Sequence, residues 1–329
     1  MTTGATPAGR LLVVIVNYRT PQLTIACLRS LAPEVAALGC VRVVVTDNAS
    51  GDGSVERIRE ALDAQGGSAW ATLMPLDRNG GFAYGNNAAI RPALASIAPP
   101  DYVLLLNPDT EVRPDALREL LRFMDARPDV GIAGSRLEGP DGSQHHSCFR
   151  FHTVRSELNW GLRLGAVSRL LRNYVVAAPL ADSDQPTDWV AGASMIVRRR
   201  VFEDVGLFDE GYFLYYEEAD FCLNARRAHW PCWYVDASRV MHIAGGSTGL
   251  DDTTARPARR PRYWFASRRR YFVKNHGQLY ALCADMAWVA GYALWRVRRV
   301  LQRKPDTDPP HMLWDFVRFG LLAGPHRRP

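Results

Sequence analysis

Hydrophobic positions along the first third of the chain fall into two alternating patterns. Leu11–Asn17, LLVVIVN, is an unbroken apolar run that ends on a polar residue, the pattern of a strand buried on both faces. Apolar residues at 23, 25, 27, 28 and 31 then predict a helix over Pro21–Leu31, with Thr20 in place to cap it. The alternation repeats. Val41–Thr46 reads as a second strand, Ser54 as the cap of a helix over Val55–Ala64, and Trp70–Leu76 as a third strand. A helix opens behind Gly80-Gly81, Asp101–Leu106 is a fourth strand, and Pro114–Ala126 is a helix with proline in its first turn. Strands alternating with helices predict an α/β fold, a doubly wound and mostly parallel sheet whose ligands lie at the carboxyl ends of the strands.

The second half is less regular. Val130–Ala133 reads as a short strand, Arg136–Arg150 as a turn or hairpin, and Arg155–Tyr174 as a basic helix. A strand over Trp189–Val197 precedes helices over Arg198–Val205 and Tyr216–Ala228, and Cys232–Val235 and Arg239–Ile243 read as two more strands. Beyond Pro261 the pattern is helical, over Tyr263–Asn275, Leu279–Arg303 and Met312–Gly320.

Composition adds exclusions. At 47% hydrophobic and 22% charged over 329 residues, the chain is neither disordered, collagenous nor a coiled coil, and it can bury a sizeable core. Six cysteines without a CxxC pair argue against a disulfide scaffold or zinc ribbon and for a reducing compartment. The first residues lack a signal-peptide pattern, so the expected location is cytoplasmic. Charge is more informative. Residues 255–329 carry sixteen Arg and Lys against four Asp and Glu, whereas the rest of the chain is net acidic. A basic tail on an acidic body points to an anionic surface as its partner.

Four polar constellations stand at predicted strand ends. Asp47 closes the second strand, where a carboxylate can accept a hydrogen bond from a nucleotide base. Arg78-Asn79-Gly80-Gly81 leads into a helix N-terminus, a geometry that suits a diphosphate. Asn107-Pro108-Asp109 follows a wholly apolar strand, which pushes Asp109 out at the sheet top. Glu217, Glu218 and Asp220 cluster on the first turn of a helix after the aromatic run FLYY, and clustered carboxylates raise one another's pKa as a general base requires. Each alone has an ordinary reading, as a turn residue or a complement to a helix dipole. Their order and spacing carry the case.

With the blocks VVIVNYRTPQLTIACLRSL, VVVTDNASGDGS, RNGGFAYGNN, YVLLLNPDT, WVAGASMIVRR, VGLFDEGYFLYYEEADFCLNARRAHW and VMHIAGGSTG in that order, the chain resembles the family 2 glycosyltransferases of GT-A fold, in particular their bacterial rhamnosyltransferase-like branch. The resemblance spans about Leu11 to Gly249. It implies a GT-A catalytic domain over 1–250, with a nucleotide-sugar half over 10–110 and an acceptor half over 111–250, followed by a basic helical extension over 251–329. It implies that Asn17, Tyr18 and Asp47 line the base pocket and that Arg78, Asn79, Gly80 and Gly81 pass under the ribose and diphosphate. Asn107 and Asp109 occupy the family's Asp-x-Asp place, with Asn at the first position as a departure. Asp109 and His242 are then the expected ligands of Mg²⁺ or Mn²⁺, and an imidazole beside a carboxylate favours Mn²⁺ somewhat. Trp189, Gly192 and Ala193 match the strand and loop beneath the transferred sugar. Glu217, Glu218 and Asp220 match the Glu-Asp-x-Asp element, with Glu218 in the place of the catalytic base.

The implied reaction is inverting transfer of a sugar from a nucleotide-sugar donor, dTDP-L-rhamnose first among them, to a growing cell-surface glycan or polyprenyl-diphosphate-linked acceptor. Alternatives are a UDP-hexose or UDP-N-acetylhexosamine donor, or a non-catalytic glycan-binding GT-A scaffold. Leu279–Trp295 is short for a membrane span and is interrupted by Asp285, with Arg and Lys on both flanks and Trp and Tyr interleaved. That pattern suits a helix lying on an anionic bilayer, a peripheral place on the inner face of the bacterial plasma membrane, with a helix packed on the catalytic domain as the alternative. Nucleic acid is not an expected partner.

Overall fold

The computed structural model describes residues 10–64, 66–179, 182–243 and 257–321. In chain order, β1 (Leu11–Asn17), α1 (Pro21–Leu38), β2 (Val41–Asp47), α2 (Ser54–Ala64), β3 (Ala71–Pro75), α3 (Gly81–Leu94) and β4 (Tyr102–Leu106) form the amino-terminal half. The four strands lie parallel in the order β3-β2-β1-β4. Every residue of β1 is buried, with its side chains divided between the two faces. Leu11, Val13 and Ile15 join one core layer and Leu12 and Val14 the other. That two-sided burial is why the sequence shows unbroken apolar runs here.

The acceptor half continues the same sheet. It comprises β5 (Thr110–Val112), α4 (Ala116–Ala126), β6 (Ile132–Glu138), β7 (Gln144–His145), β8 (Cys148–Phe149), α5 (Val154–Leu162), α6 (Gly165–Leu170), β9 (Gln185–Thr187), β10 (Trp189–Val190), β11 (Ser194–Arg198), α7 (Arg199–Val205), α8 (Glu217–Arg227) and β12 (Cys232–His242). The sheet extends from β4 through β11, β6 and β12 to β5, with β11 and β5 antiparallel to their neighbours. Mostly parallel strands with antiparallel insertions match the expected fold. One face packs on α1, α2 and α4 and the other on α3, α7 and α8.

Several boundaries differ from the sequence reading. Trp189–Val197 is not one strand: β10 pairs with β8 in a separate two-stranded ribbon, and the chain enters the main sheet only at Ser194. The two strands expected around Val235 and Arg239 are one strand, β12, with a register shift between those residues. The basic helix breaks at Arg163, which takes a left-handed conformation after α5. Thr20 makes no capping bond to α1, and its hydroxyl donates instead to Asn17 Oδ1 at 3.2 Å.

The carboxyl-terminal helices are α9 (Arg262–His276), α10 (Gln278–Leu301) and α11 (Met312–Phe316). α10 crosses α5 closely enough that a Cβ on Gly161 would lie 2.6 Å from Trp288 O, and one on Gly291 would lie 3.0 Å from Leu158 O. Asp285, expected to weaken this helix as a membrane element, is wholly buried. It accepts from Arg268 Nη1 at 2.5 Å and from Arg269, while Arg268, itself buried, also donates to Glu157 of α5 at 2.8 and 3.0 Å. Trp288, Tyr292 and Phe316 stack beside this cluster. The opposite side of α10 exposes Leu279, Leu282, Met286, Leu294, Val297 and Leu301. The motif beyond Ile243 and the expected domain boundary at 250 lie outside the described residues.

Candidate active site

The ends of β1, β2 and β4, the loop before α3 and the first turn of α8 converge on a cleft of about 220 Å³. Asn17 and Asp47 close adjacent strands in register, and both side chains are buried. Asn17 Nδ2 donates to Asp47 Oδ1 at 2.6 Å, and Asp47 also accepts from the Ser50 amide at 3.0 Å and the Ser50 hydroxyl at 2.6 Å. The Thr24 hydroxyl donates to Asn17 Oδ1 at 2.9 Å. These two expected base contacts therefore brace the strand ends from below, while Tyr18 and Asn48 line the cleft. Asn48 is a lining residue that the sequence reading missed, although it follows Asp47 directly. Its amide nitrogen donates to Gly81 O at 3.0 Å, and its Oδ1 is buried with no hydrogen-bond partner among the described residues. A ligand donor would satisfy that oxygen.

The glycine loop folds as its composition demands. Gly81 has a φ of 87°, and a Cβ there would sit 1.9 Å from Phe213 O. Only glycine lets this loop meet the segment before α8, where the Phe82 amide donates to Phe213 O at 2.9 Å. Asn79 lines the cleft and its Oδ1 accepts from the Gly81 amide at 3.0 Å, while Gly80 stands at the N-terminus of α3. Arg78 lies over the Tyr84 ring, 4.4 Å from its centroid.

On the opposite wall, Asn107, Pro108 and Asp109 follow β4, and His242 ends β12. Asp109 does not stand free at the sheet top as expected. It is buried, and its Oδ1 lies 3.3 Å from His242 Nε2. Two ligands of one octahedral ion at about 2.1 Å stand roughly 3 Å apart, so this pair fits a shared divalent cation. Among the described residues no cluster of three His, Cys, Asp or Glu side chains exists that could hold a metal unaided. The remaining positions would fall to phosphate oxygens and water.

Glu217 and Glu218 enter the cleft from the first turn of α8. Tyr215 and Tyr216 before them both take positive φ, 70° and 71°, a pair of left-handed residues that costs on the order of 1–2 kcal/mol each and turns the helix start toward the cleft. Burial, then the neighbouring Glu218 carboxylate, pushes Glu217 well above the ordinary carboxylate range, and its Oε2 has no hydrogen-bond partner among the described residues. Burial also raises Glu218, opposed in part by the Gly192 amide, which donates to its Oε1 at 3.3 Å. Two adjacent carboxylates in a desolvated cleft resist carrying two charges, so sharing one proton is favoured over full ionisation of the pair.

The other expected residues divide. Gly192 stands against Glu218, and Ala193 O accepts from the Asn107 amide at 3.1 Å, tying the two walls together. Trp189 stacks on Phe149 at 4.3 Å and donates to Arg150 O, outside the cleft lining. Asp220 is not brought to the cleft. Its carboxylate turns to α9, accepting from Lys274 Nζ and Asn275 Nδ2, each at 2.6 Å.

A mostly parallel sheet with a strand-end carboxylate and imidazole facing paired acids on a helix start defines a GT-A glycosyltransferase. The Glycosyl transferase family group 2 profile matches residues 102–323 and the Glycosyl transferase family 2 profile matches residues 12–167. The chain belongs to the family 2 glycosyltransferases. It is 29% identical over 222 residues to the N-acetylglucosaminyl-diphospho-decaprenol L-rhamnosyltransferase of Mycobacterium tuberculosis, covering 64% of this chain and 69% of that protein. It is 30% identical over 166 residues to rhamnosyltransferase WbbL of Escherichia coli, covering 50% and 61%. In fold it is similar to the mannosyltransferase PcManGT of Pyrobaculum calidifontis, solved with GDP-Man and Mn²⁺, with a TM-score of 0.55, 16% identity and coverage of 92% and 80%. It is also similar to TarS 1–349 of S. aureus, with a TM-score of 0.51, 14% identity and coverage of 94% and 80%.

Proposed function

We propose that the chain is an inverting, divalent-metal-dependent glycosyltransferase that moves L-rhamnose from dTDP-L-rhamnose to a hydroxyl of a lipid-linked glycan. The observation that carries this reading is that the Asp109–His242 pair and the Glu217–Glu218 pair line one cleft. The names of the relatives favour rhamnose as the sugar and a polyprenyl-diphosphate-linked acceptor.

In this reading Asp109 and His242 would hold Mg²⁺ or Mn²⁺, and the bound ion would supply positive charge against that developing on the departing diphosphate. The positive end of the α3 dipole and the Asn79 side chain receive the diphosphate and ribose, and Tyr18 and Asn48 face the base. Glu218 accepts the proton of the acceptor hydroxyl as that oxygen attacks the anomeric carbon opposite the leaving group. Glu217 holds its proton, so the pair carries one negative charge rather than two. One displacement inverts the anomeric centre and needs no protein nucleophile.

The outward face of α10, apolar and followed by the exposed Arg303 and Lys304, favours a peripheral place on an anionic membrane. Among the described residues no helix is long and apolar enough to cross a membrane. The purified protein should release nucleoside diphosphate from one member of a panel of dTDP-, UDP- and GDP-sugars, with loss on chelation and recovery with Mn²⁺ or Mg²⁺. Release from a UDP-sugar alone would replace the donor. No metal-dependent release from any would leave a glycan-binding scaffold.

A further inference from the structure

A second cleft, of about 450 Å³, lies on the far half of α8. Its lining includes the charged Arg150, Arg226, Arg227 and Asp188 and the imidazoles of His152 and His276. The single carboxylate is engaged, because Asp188 Oδ1 accepts from Arg226 at 2.7 Å and its Oδ2 accepts from the Phe151 amide at 2.8 Å. Among the described residues the other two guanidinium groups donate to neutral oxygens. Arg150 donates to Val175 O at 3.2 Å, and Arg227 donates to Asn275 Oδ1 and O at 2.9 and 2.8 Å and to Asn224 Oδ1 at 3.4 Å. Two positive charges in one cleft, with no matching anion among the described residues, suit a doubly charged ligand such as a diphosphate.

Its position narrows the ligand. Arg226 and Arg227 stand eight and nine residues beyond Glu218 on the same helix, about 12–14 Å along its axis. His152 of the second cleft meets Tyr216, the residue before the paired acids, in a tilted ring contact with centroids 4.7 Å apart. At its other side, His276 stacks at 4.6 Å on Tyr280 in the first turn of α10, and the exposed apolar face of that helix begins at Leu279. Order along the surface is therefore acid pair, basic cleft, apolar helix face. That is the order of hydroxyl, diphosphate and hydrocarbon in a sugar carried on a prenyl diphosphate.

We infer that the cleft around Arg150 and Arg227 binds the diphosphate of a prenyl-diphosphate-linked acceptor and directs its chain toward α10. The inference rests on the glycosyl-transfer reading for its choice of ligand, and its test is separable from it. Full-length protein is titrated calorimetrically with farnesyl diphosphate, with dTDP and Mn²⁺ present to fill the first cleft. Arg150→Gln should weaken farnesyl diphosphate binding roughly 10- to 100-fold, the range for losing one charge-assisted contact. Arg227→Lys, which keeps the charge and loses the fork, should weaken it less, and thermal unfolding of each variant checks its fold. Inorganic pyrophosphate should bind more weakly than farnesyl diphosphate, since it lacks the chain. Equal binding of the two by the wild type would overturn the lipid assignment, and unchanged farnesyl diphosphate affinity in folded Arg150→Gln would overturn the site. Donor hydrolysis by the wild type reads the transfer reaction independently. If that hydrolysis failed while Arg150-dependent farnesyl diphosphate binding persisted, the cleft would stand and the reaction would not.

Discussion

Replacing Asp285 by alanine tests whether α10 belongs to the folded body or is a separable membrane element. The carboxylate is wholly buried and satisfies Arg268, also buried, and Arg269, which reaches solvent in part. With Glu157 these groups make a neutral quartet of two acids and two guanidinium groups. Alanine leaves two cations on one acid. Breaking a buried pair costs about 3–5 kcal/mol. Because Glu157 still holds Arg268 through two hydrogen bonds, the lower end of about 3 kcal/mol is expected. Against a total stability of about 5–15 kcal/mol, that is a large fraction. Equilibrium urea unfolding should show a clearly lower midpoint, with Asp285→Asn losing less because it keeps a hydrogen-bond acceptor. A midpoint shift equivalent to less than about 0.5 kcal/mol, the scale of an ordinary surface substitution, would refute the packed quartet. For the same reason truncation before Pro261 should yield insoluble protein, because it removes the partners of Glu157, Tyr212 and Tyr216.

Glu218→Gln should lower kcat by roughly 10²–10⁴ while donor binding is retained, read by steady-state turnover and by titration with donor. Asp109→Ala should abolish metal-dependent donor turnover, and wild-type rates in excess Mn²⁺ would remove it from the metal site. Glu217→Gln should stabilise the fold at neutral pH. The folded state raises the Glu217 pKa, so the native protein binds a proton that the unfolded chain has released, and stability falls as pH climbs above the unfolded value of about 4.3. The variant's advantage in urea should therefore grow from near zero at about pH 4 toward neutrality, and a constant difference across that range would contradict the raised pKa. Leu282→Gln with Met286→Gln, both on exposed positions, should reduce sedimentation with anionic vesicles without lowering the unfolding midpoint. Undiminished sedimentation would move the membrane contact elsewhere.

The amino-terminal half was legible because its strands are buried on both faces, which leaves continuous apolar runs that no surface strand would show. Gly81, Asp109 and the acidic first turn were legible for a related reason: each breaks an apolar or helical pattern at a strand end or helix start, where few alternatives fit. What failed depended on partners distant in sequence. Trp189–Val197 reads as one strand because its residues are all compatible with burial, and only the pairing of Trp189 with Phe149 and of Ser194 with Leu106 shows that the chain changes sheets between them. Asp220 sits beside Glu217 and Glu218 in sequence, yet Lys274, 54 residues on, claims its carboxylate.

α10 carries the same lesson into the membrane question. Read along the chain, Asp285 counts against lipid contact and the flanking arginines count for it, because a linear window adds every charge on the helix together. In the structure the charges are separated. Asp285 faces Arg268 inside the body, and Arg298 donates to Leu162 O and Arg163 O at the end of α5, so neither charge stands on the exposed face. What remains outward is the run from Leu279 to Leu301, free of the acid that interrupts it in sequence. The helix is thus packed through one face and leaves an apolar face outward, so packing on the body does not exclude the proposed bilayer contact.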